Sequence, residues 1–327
     1  MKFIGVDVSK GKLDCAAVTE AGEVLDRSRS FKNTKEGICA LLKWCRKISD
    51  SDGLRVVIEA TAAYHEMVAL HLSEANVFVA IVNPFHVRSL ARGLAILGKT
   101  DALDAVVLGH YGRFAKLRKW VAPAADLVAL KASLLRLDAI EADLLREQNR
   151  REQALVRQSS PAIIRSMDAS IRFLKRQRKS MQRVIEVAVE TAPDIAEDVA
   201  RLRTIPGVGE KTANRMTAVL RLHDFKSARQ ASAFLGLVPV EHRSGTSVYR
   251  KPRLSKAGNP KIRAGLYMAA VVAMRVNPDI KALYERLVAR GKPKMAALGA
   301  CMRKLVHICF GVLRSRRQYE PQVRLAS

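Results

Sequence analysis

The chain has 327 residues, is 49% hydrophobic and carries 57 Lys+Arg against 31 Asp+Glu, a formal net charge of +26. The excess is uneven: residues 1–200 hold 31 basic and 25 acidic side chains, whereas residues 201–327 hold 26 and 6, a net +20 that calls for a polyanion, with nucleic acid the expected partner. A membrane is the competing polyanion, but no uninterrupted apolar run reaches the ~18 residues of a spanning helix, and Met1-Lys2-Phe3-Ile4-Gly5-Val6-Asp7 lacks the order of regions of a signal peptide.

Phe3 to Val8 is a short apolar run with one acid, Asp7, inside it. Leu13 to Thr19 and Val24 to Phe31 read as two further strands joined at Ala21-Gly22-Glu23, so the first three strands form a hairpin sheet with Asp7 on its central strand. Asn33 or Thr34 caps a helix to about Ile48, with Ile38, Leu41, Leu42 and Cys45 inward. A strand from Arg55 ends at Glu59. Helix 64–75 follows, with Met67, Leu70 and His71 at helical spacing, and then a strand from Val77 to Val82 closed by Asn83-Pro84.

Thr100 is an N-cap for a helix over 102–113, which places Asp101 and Asp104 one turn apart on one face. Acids in a first turn complement the helix dipole. Two of them on one face also repel each other unless a cation lies between, and hard ions such as Mg²⁺ or Mn²⁺ take oxygen ligands. The pattern is β-β-β-α-β-α-β-α, a mixed sheet with helices on its faces. With Asp7, Glu59, Asp101 and Asp104 in one such domain, a shared metal site is the economical explanation. The order of elements and the positions of the acids resemble the RNase H-like fold of the RuvC type.

Residues 121–200 change character. Leu127, Leu130, Leu134, Leu137 and Leu144 are spaced by three and four, with Glu141 in one expected position. After Ser159-Ser160-Pro161 a second seam runs through Ile164, Met167, Ile171, Leu174, Met181 and Ile185, with Arg178 out of place. Two long helices folded back as a coiled-coil hairpin account for both, as a spacer or as a dimerisation arm. The basic block follows. Ile205-Pro206-Gly207-Val208-Gly209-Glu210-Lys211-Thr212-Ala213 has the form of a helix-hairpin-helix turn, in which the amides of the next helix and Lys211 can grip a phosphate. Helix 211–222 and a shorter one over 228–235 come next.

Glu241 to Lys251 is polar and reads as a loop, with Ser244 before Gly245 and the cations Arg243, Arg250 and Lys251 around it. Leu254 to Arg263 is a second loop, whose Lys256, Lys261 and Arg263 are candidate phosphate contacts. It leads into an apolar helix, 264–276. A last helix spans about 295–313, and the basic tail after Arg314 is expected to fray. Cys15, Cys39, Cys45, Cys301 and Cys309 show neither zinc spacing nor a disulfide framework, which predicts reduced thiols in a cytoplasmic protein.

Taken together, these segments resemble the DEDD-type insertion-sequence transposases, a family that includes the Piv-like invertases and the bridge-RNA-guided recombinases. Ile4 to Lys10 is similar to the first acidic motif. Ile58-Glu59-Ala60-Thr61 with Tyr64 is similar to the second, and Lys99 to Ala105 to the third. Ser244-Gly245-Thr246-Ser247 and Ser255-Lys256-Ala257-Gly258-Asn259 are similar to the C-terminal signature. Ala62 departs from the pattern, where Gly is common.

The resemblance implies a RuvC-like RNase H-fold domain over 1–120, a helical coiled-coil arm over 121–200, and a mainly α-helical C-terminal transposase domain over 201–327. It implies that Asp7, Glu59, Asp101 and Asp104 hold Mg²⁺ or Mn²⁺ and that Ser244 is the nucleophile. Donor and target DNA, a structured guide RNA, and a homodimer that pairs into a homotetramer are the implied partners, in the cytoplasm at a prokaryotic nucleoid. A Piv-like invertase without RNA and a hydrolytic RuvC-type nuclease are the alternatives.

Overall fold

The computed structural model describes every residue except 50–52, 62, 97, 99, 245–247, 257 and 323–327, and their side chains except those of residues 27, 241–244 and 248–252. The chain divides into two compact units, Met1–Ala122 and Pro123–Ser327.

In the first unit β1 (Lys2–Val8), β2 (Lys12–Thr19) and β3 (Val24–Lys32) form an antiparallel meander. Helix α1 (Lys35–Ile48), capped by the Thr34 side chain, leads to β4 (Leu54–Glu59), and α2 (Tyr64–Glu74) leads to β5 (Phe78–Val82). Both later strands join in parallel, so the sheet order is β3-β2-β1-β4-β5 with β1 at its centre. This is the RNase H-like arrangement expected from the sequence. Two helices follow, α3 (Pro84–Gly93) and α4 (Asp101–Phe114).

Strand alternation assigns the two faces of the sheet. Ile4, Val6, Val8, Leu13, Cys15, Ala17, Val56 and Ile58 pack with α1 and α2 in one core. Val57 and Val82 pack with Val87 of α3 and with Val107 and Leu108 of α4 in the other. Two readings need correction. Asn83-Pro84 opens a helix instead of only closing a strand, because Asn83 accepts from the Phe85 amide and proline fits the first helical position. In α2 the buried residues are Val68, Ala69 and Leu72, and Met67 packs against the same core, while Leu70 is exposed.

The second unit opens with α5 (Ala125–Val156) and α6 (Pro161–Glu190), a long helical hairpin. The α5 seam runs through Ile140 and leaves Glu141 outside it, which keeps the three-and-four spacing unbroken from Leu137 to Leu144. On α6 only Ile171 and Ile185 of the predicted seam are buried. Next come α7 (Pro193–Arg203), α8 (Glu210–Leu222), α9 (Ala228–Phe234), β6 (Pro239–Ser244), β7 (Val248–Leu254), α10 (Pro260–Val276), α11 (Pro278–Ala289) and α12 (Lys294–Ser315). One core collects Leu127, Leu130 and Leu134 of α5 with residues of α7, α8, α10 and α12.

Helix α12 is long and apolar enough to cross a membrane by length and composition. Its apolar side is nevertheless the buried wall of this core: Ala297, Cys301, Leu305, Val306 and Cys309 are fully covered. All five cysteines are free thiols, as expected.

The C-terminal tail is not frayed as far as Gln322. The Tyr319 amide donates to Thr204 Oγ1 at 2.9 Å, and its hydroxyl donates toward Asn277 Oδ1 at 3.0 Å and Asp279 Oδ2 at 2.9 Å. The Gln322 amide donates to the same Asp279 carboxylate at 3.1 Å. A basic composition suggested a solvated end, but one aromatic residue with a polar tip is enough to anchor it.

Candidate active site and nucleic-acid interface

The acids of the first unit share a face because of strand parity. Asp7 alternates with Val6 and Val8, which belong to the α1–α2 core, so it projects toward α4. The same parity holds for Glu59 after Ile58 and for Asp14 between Leu13 and Cys15. Asp7 and Asp14 are direct cross-strand partners. Val6 pairs with Ile58 in the parallel ladder, which sets Glu59 at the same end of the sheet.

Helix α4 brings the other two. Its N-terminus is capped by Thr100, whose hydroxyl accepts from the Leu103 amide at 3.3 Å, and Asp101 and Asp104 occupy its first turn. The helix can lie on β1 and β2 because Gly5 offers no side chain. A Cβ there would sit 2.5 Å from the Gly109 nitrogen and closer still to the Ala105 carbonyl.

Electrostatics reports the convergence. Burial, then the charges of Asp104, Asp101, Glu59 and Asp14 in that order, push the Asp7 carboxyl up to about 6. Asp14 is buried and was not picked out from the sequence, although an acid inside the apolar run Leu13–Val18 carries the same signal as Asp7. Lys12 was missed as well. Its ammonium donates to Asp101 Oδ2 at 2.6 Å and stands 3.0 Å from Asp14 Oδ2, and both carboxylates push it further above the ordinary lysine range. Among the described residues no three Asp, Glu, His or Cys side chains stand close enough together, as they lie, to hold a metal ion.

In the second unit the turn between α7 and α8 has the predicted helix-hairpin-helix form. Gly207 adopts φ +94, and a Cβ on it would meet the Ala273 Cβ of α10 at 2.7 Å, so the position requires glycine twice over. The turn is buttressed from behind, since Asn277 Nδ2 donates to the Pro206 carbonyl at 3.3 Å. Lys211 is exposed and lies 3.4 Å from Glu141.

The polar segment around Ser244 is a β-hairpin instead of a loop. Strands β6 and β7 pair antiparallel, with Arg243 opposite Tyr249 and Ser244 opposite Val248, so Ser244 is the last residue of β6 before the tip. Alternating Val240, His242 and Tyr249 suit a strand, but its many charges and the nearby glycine masked that pattern. Gly245, Thr246, Ser247 and Ala257, with Ala62 and Lys99 of the first unit, lie outside the described residues. So do the side chains of Arg243, Ser244, Arg250 and Lys251.

After the hairpin, Asn259 caps α10 by accepting from the Lys261 amide at 2.8 Å, with Pro260 at the first helical position, so this helix starts earlier than read. Lys256 and Lys261 are exposed. Arg263 is half-buried, and its Nη1 donates to the Gly258 carbonyl at 3.0 Å, so it braces the loop.

Comparison with known proteins addresses both units. The model of the IS110 DEDD transposase domain matches residues 4–160, which include Asp7, Glu59, Asp101 and Asp104. The model described as the transposase IS116/IS110/IS902 family matches residues 199–285, which include the β6–β7 hairpin. The chain is 28% identical over 324 residues to the pilin gene-inverting protein of Moraxella lacunata, covering 98% of each. It is 34% identical over 127 residues to the transposase for insertion sequence element IS1111A of Coxiella burnetii, covering 38% of this chain and 35% of that one. Among solved structures, RuvC of T. thermophilus in complex with a Holliday junction substrate aligns with 37% of this chain and 99% of its own, at 16% identity and a TM-score of 0.28. The two family models fall on separate parts of the chain and name one kind of enzyme: the chain belongs to the IS110 family of DEDD transposases.

Proposed function

We propose that this transposase is a site-specific DNA recombinase of an insertion sequence, in which Asp7, Glu59, Asp101 and Asp104 hold Mg²⁺ and Ser244 attacks the DNA. The observation that carries this reading is a division of labour. Carboxylates converge on one end of the sheet in the first unit, and a serine ends a strand beside the tip of a cationic hairpin in the second. Membership of the family implies dependence on a divalent metal. The donor set fits a hard ion, because every candidate ligand is a carboxylate oxygen and the acids repel one another without a cation. Mn²⁺ fits the same donors. When bound, the ion polarises the phosphoryl oxygens and stabilises the leaving oxygen.

The chain's own residues do the rest. Ser244 Oγ gives up its proton and bonds to phosphorus while the bond from phosphorus to a sugar oxygen breaks, and that oxygen takes up a proton. A serine hydroxyl is a weak nucleophile unaided. Arg243, Arg250 and Lys251 offset charge on the phosphate, and Lys211, Lys256 and Lys261 hold the nucleic-acid backbone nearby. The phosphoserine conserves the energy of the phosphodiester, so the reverse step rejoins strands without ATP. Ser244 of one subunit completes the acidic site of another. Dimers that pair into tetramers, with the α5–α6 hairpin as an arm, supply that geometry at the nucleoid.

A structured guide RNA is the proposed selector of donor and target DNA, bound by the +20 block. A second reading is inversion of a DNA segment, favoured by the end-to-end similarity to the pilin gene-inverting protein, and in that reading no RNA takes part. Recombination with and without transcripts of the flanking DNA separates the two.

The metal role is tested with Asp101→Asn. Strand cleavage should vanish while DNA binding stays equal or tightens, because a carboxylate repels phosphate until a metal intervenes. Cleavage by the wild-type protein in excess chelator would refute it.

A further inference from the structure

We infer that Lys12 is the built-in counter-cation of the acidic site, which holds Asp101 and Asp14 together and which a divalent ion must displace from Asp101. The geometry is specific. Lys12 starts β2, and strand parity places it on the same face as Asp14. Its ammonium lies 2.6 Å from Asp101 Oδ2 on α4 and 3.0 Å from Asp14 Oδ2 on its own strand. It therefore bridges the sheet to the helix that carries two of the acids.

The charges of four carboxylates, Asp104, Asp101, Glu59 and Asp14, act on a fifth, Asp7, here. An ammonium among them offsets repulsion that a metal ion would otherwise have to offset. The same ammonium occupies an oxygen of Asp101 that the ion needs. A doubly charged ion in direct contact outcompetes it, but only by giving up part of its binding energy to displace the lysine. Lys12 keeps the metal-free site assembled and weakens the first ion. The scissile phosphate brings new oxygens and negative charge, so full metal loading is coupled to the arrival of DNA.

This inference rests on the reading that the acids bind a divalent ion, and the test separates the two. Mn²⁺ is titrated into the full-length protein without DNA, with free Mn²⁺ followed by electron paramagnetic resonance. Lys12→Met should bind Mn²⁺ roughly two- to fivefold more tightly than wild type, the range expected for loss of a partly exposed ion pair. Lys12→Arg, which keeps the cation, should match wild type. Lys32→Met removes one charge from the cross-strand partner of Lys12 and controls for charge at a distance; it should change the affinity less.

Affinity of Lys12→Met equal to that of Lys32→Met, or weaker than wild type, would overturn the inference. Weaker binding would mean that Lys12 orders Asp101 for the ion instead of competing with it. Binding that no variant shows, or that Asp101→Asn leaves intact, would instead overturn the metal reading itself. Circular dichroism of Lys12→Met checks that the fold is kept.

Discussion

Gly5 on β1 and Gly109 on α4 meet backbone to backbone: a Cβ on Gly5 would stand 2.5 Å from the Gly109 nitrogen. That approach sets the distance between the strand that carries Asp7 and the helix that carries Asp101 and Asp104. Gly5→Ala should therefore act twice. The extra methyl strikes backbone, which cannot rotate away, so the cost lies at or above the top of the ~1–3 kcal/mol of ordinary overpacking. Helix α4 is also levered from the sheet. Denaturant unfolding should show the loss of stability, and Mn²⁺ affinity should fall with it. A stable Gly5→Ala protein with unchanged metal affinity would contradict the packing argument.

The C-terminal latch predicts a second effect. Tyr319 shares its hydroxyl between Asn277 and Asp279, and Asn277 in turn holds the Pro206 carbonyl of the helix-hairpin-helix turn. Hydrogen bonds to charged groups contribute about 1.5–3 kcal/mol. Tyr319→Phe keeps the ring and removes the hydroxyl, so it should lower stability by that order and weaken DNA binding through the turn. Thermal unfolding and DNA titration of the same variant check both; unchanged values in both would mean that the tail is passive.

Among the basic residues the prediction is one of contrast. Lys256 and Lys261 are exposed, whereas Arg263 is spent on the Gly258 carbonyl. If the lysines contact phosphate on duplex DNA, each change to Ala should reduce the magnitude of the log–log salt slope of binding by about 0.9. Arg263→Ala should lower stability and leave the slope nearly unchanged. Equal slopes for all three variants and wild type would remove the lysines from the interface.

Much of the first unit was legible because strand alternation and helix capping are local. Asp7 inside an apolar strand, Glu59 at a strand end and the Thr100 cap each follow from a few neighbouring residues. What the sequence hid depends on register. Asp14 stands in an apolar run as Asp7 does, but only the hairpin register shows that the two are cross-strand partners, and Lys12 becomes notable only once α4 lies across β2. In the second unit, the β6–β7 hairpin was obscured because charged residues outnumber apolar ones along it. The tail was misread because its anchor, Tyr319, bonds to Asp279 and Thr204, both far away in sequence.

The central claim is that Ser244 becomes covalently joined to DNA. The measurement is denaturing electrophoresis of labelled DNA after incubation with Mg²⁺, with and without protease. Wild type should give a protease-sensitive adduct and recombinant product. Ser244→Ala should give neither, while still assembling on DNA, and Thr246→Ala and Ser247→Ala should lose less. Free cleaved ends with no protease-sensitive shift, equally abundant for wild type and Ser244→Ala, would contradict the serine mechanism and leave a metal-dependent hydrolytic nuclease.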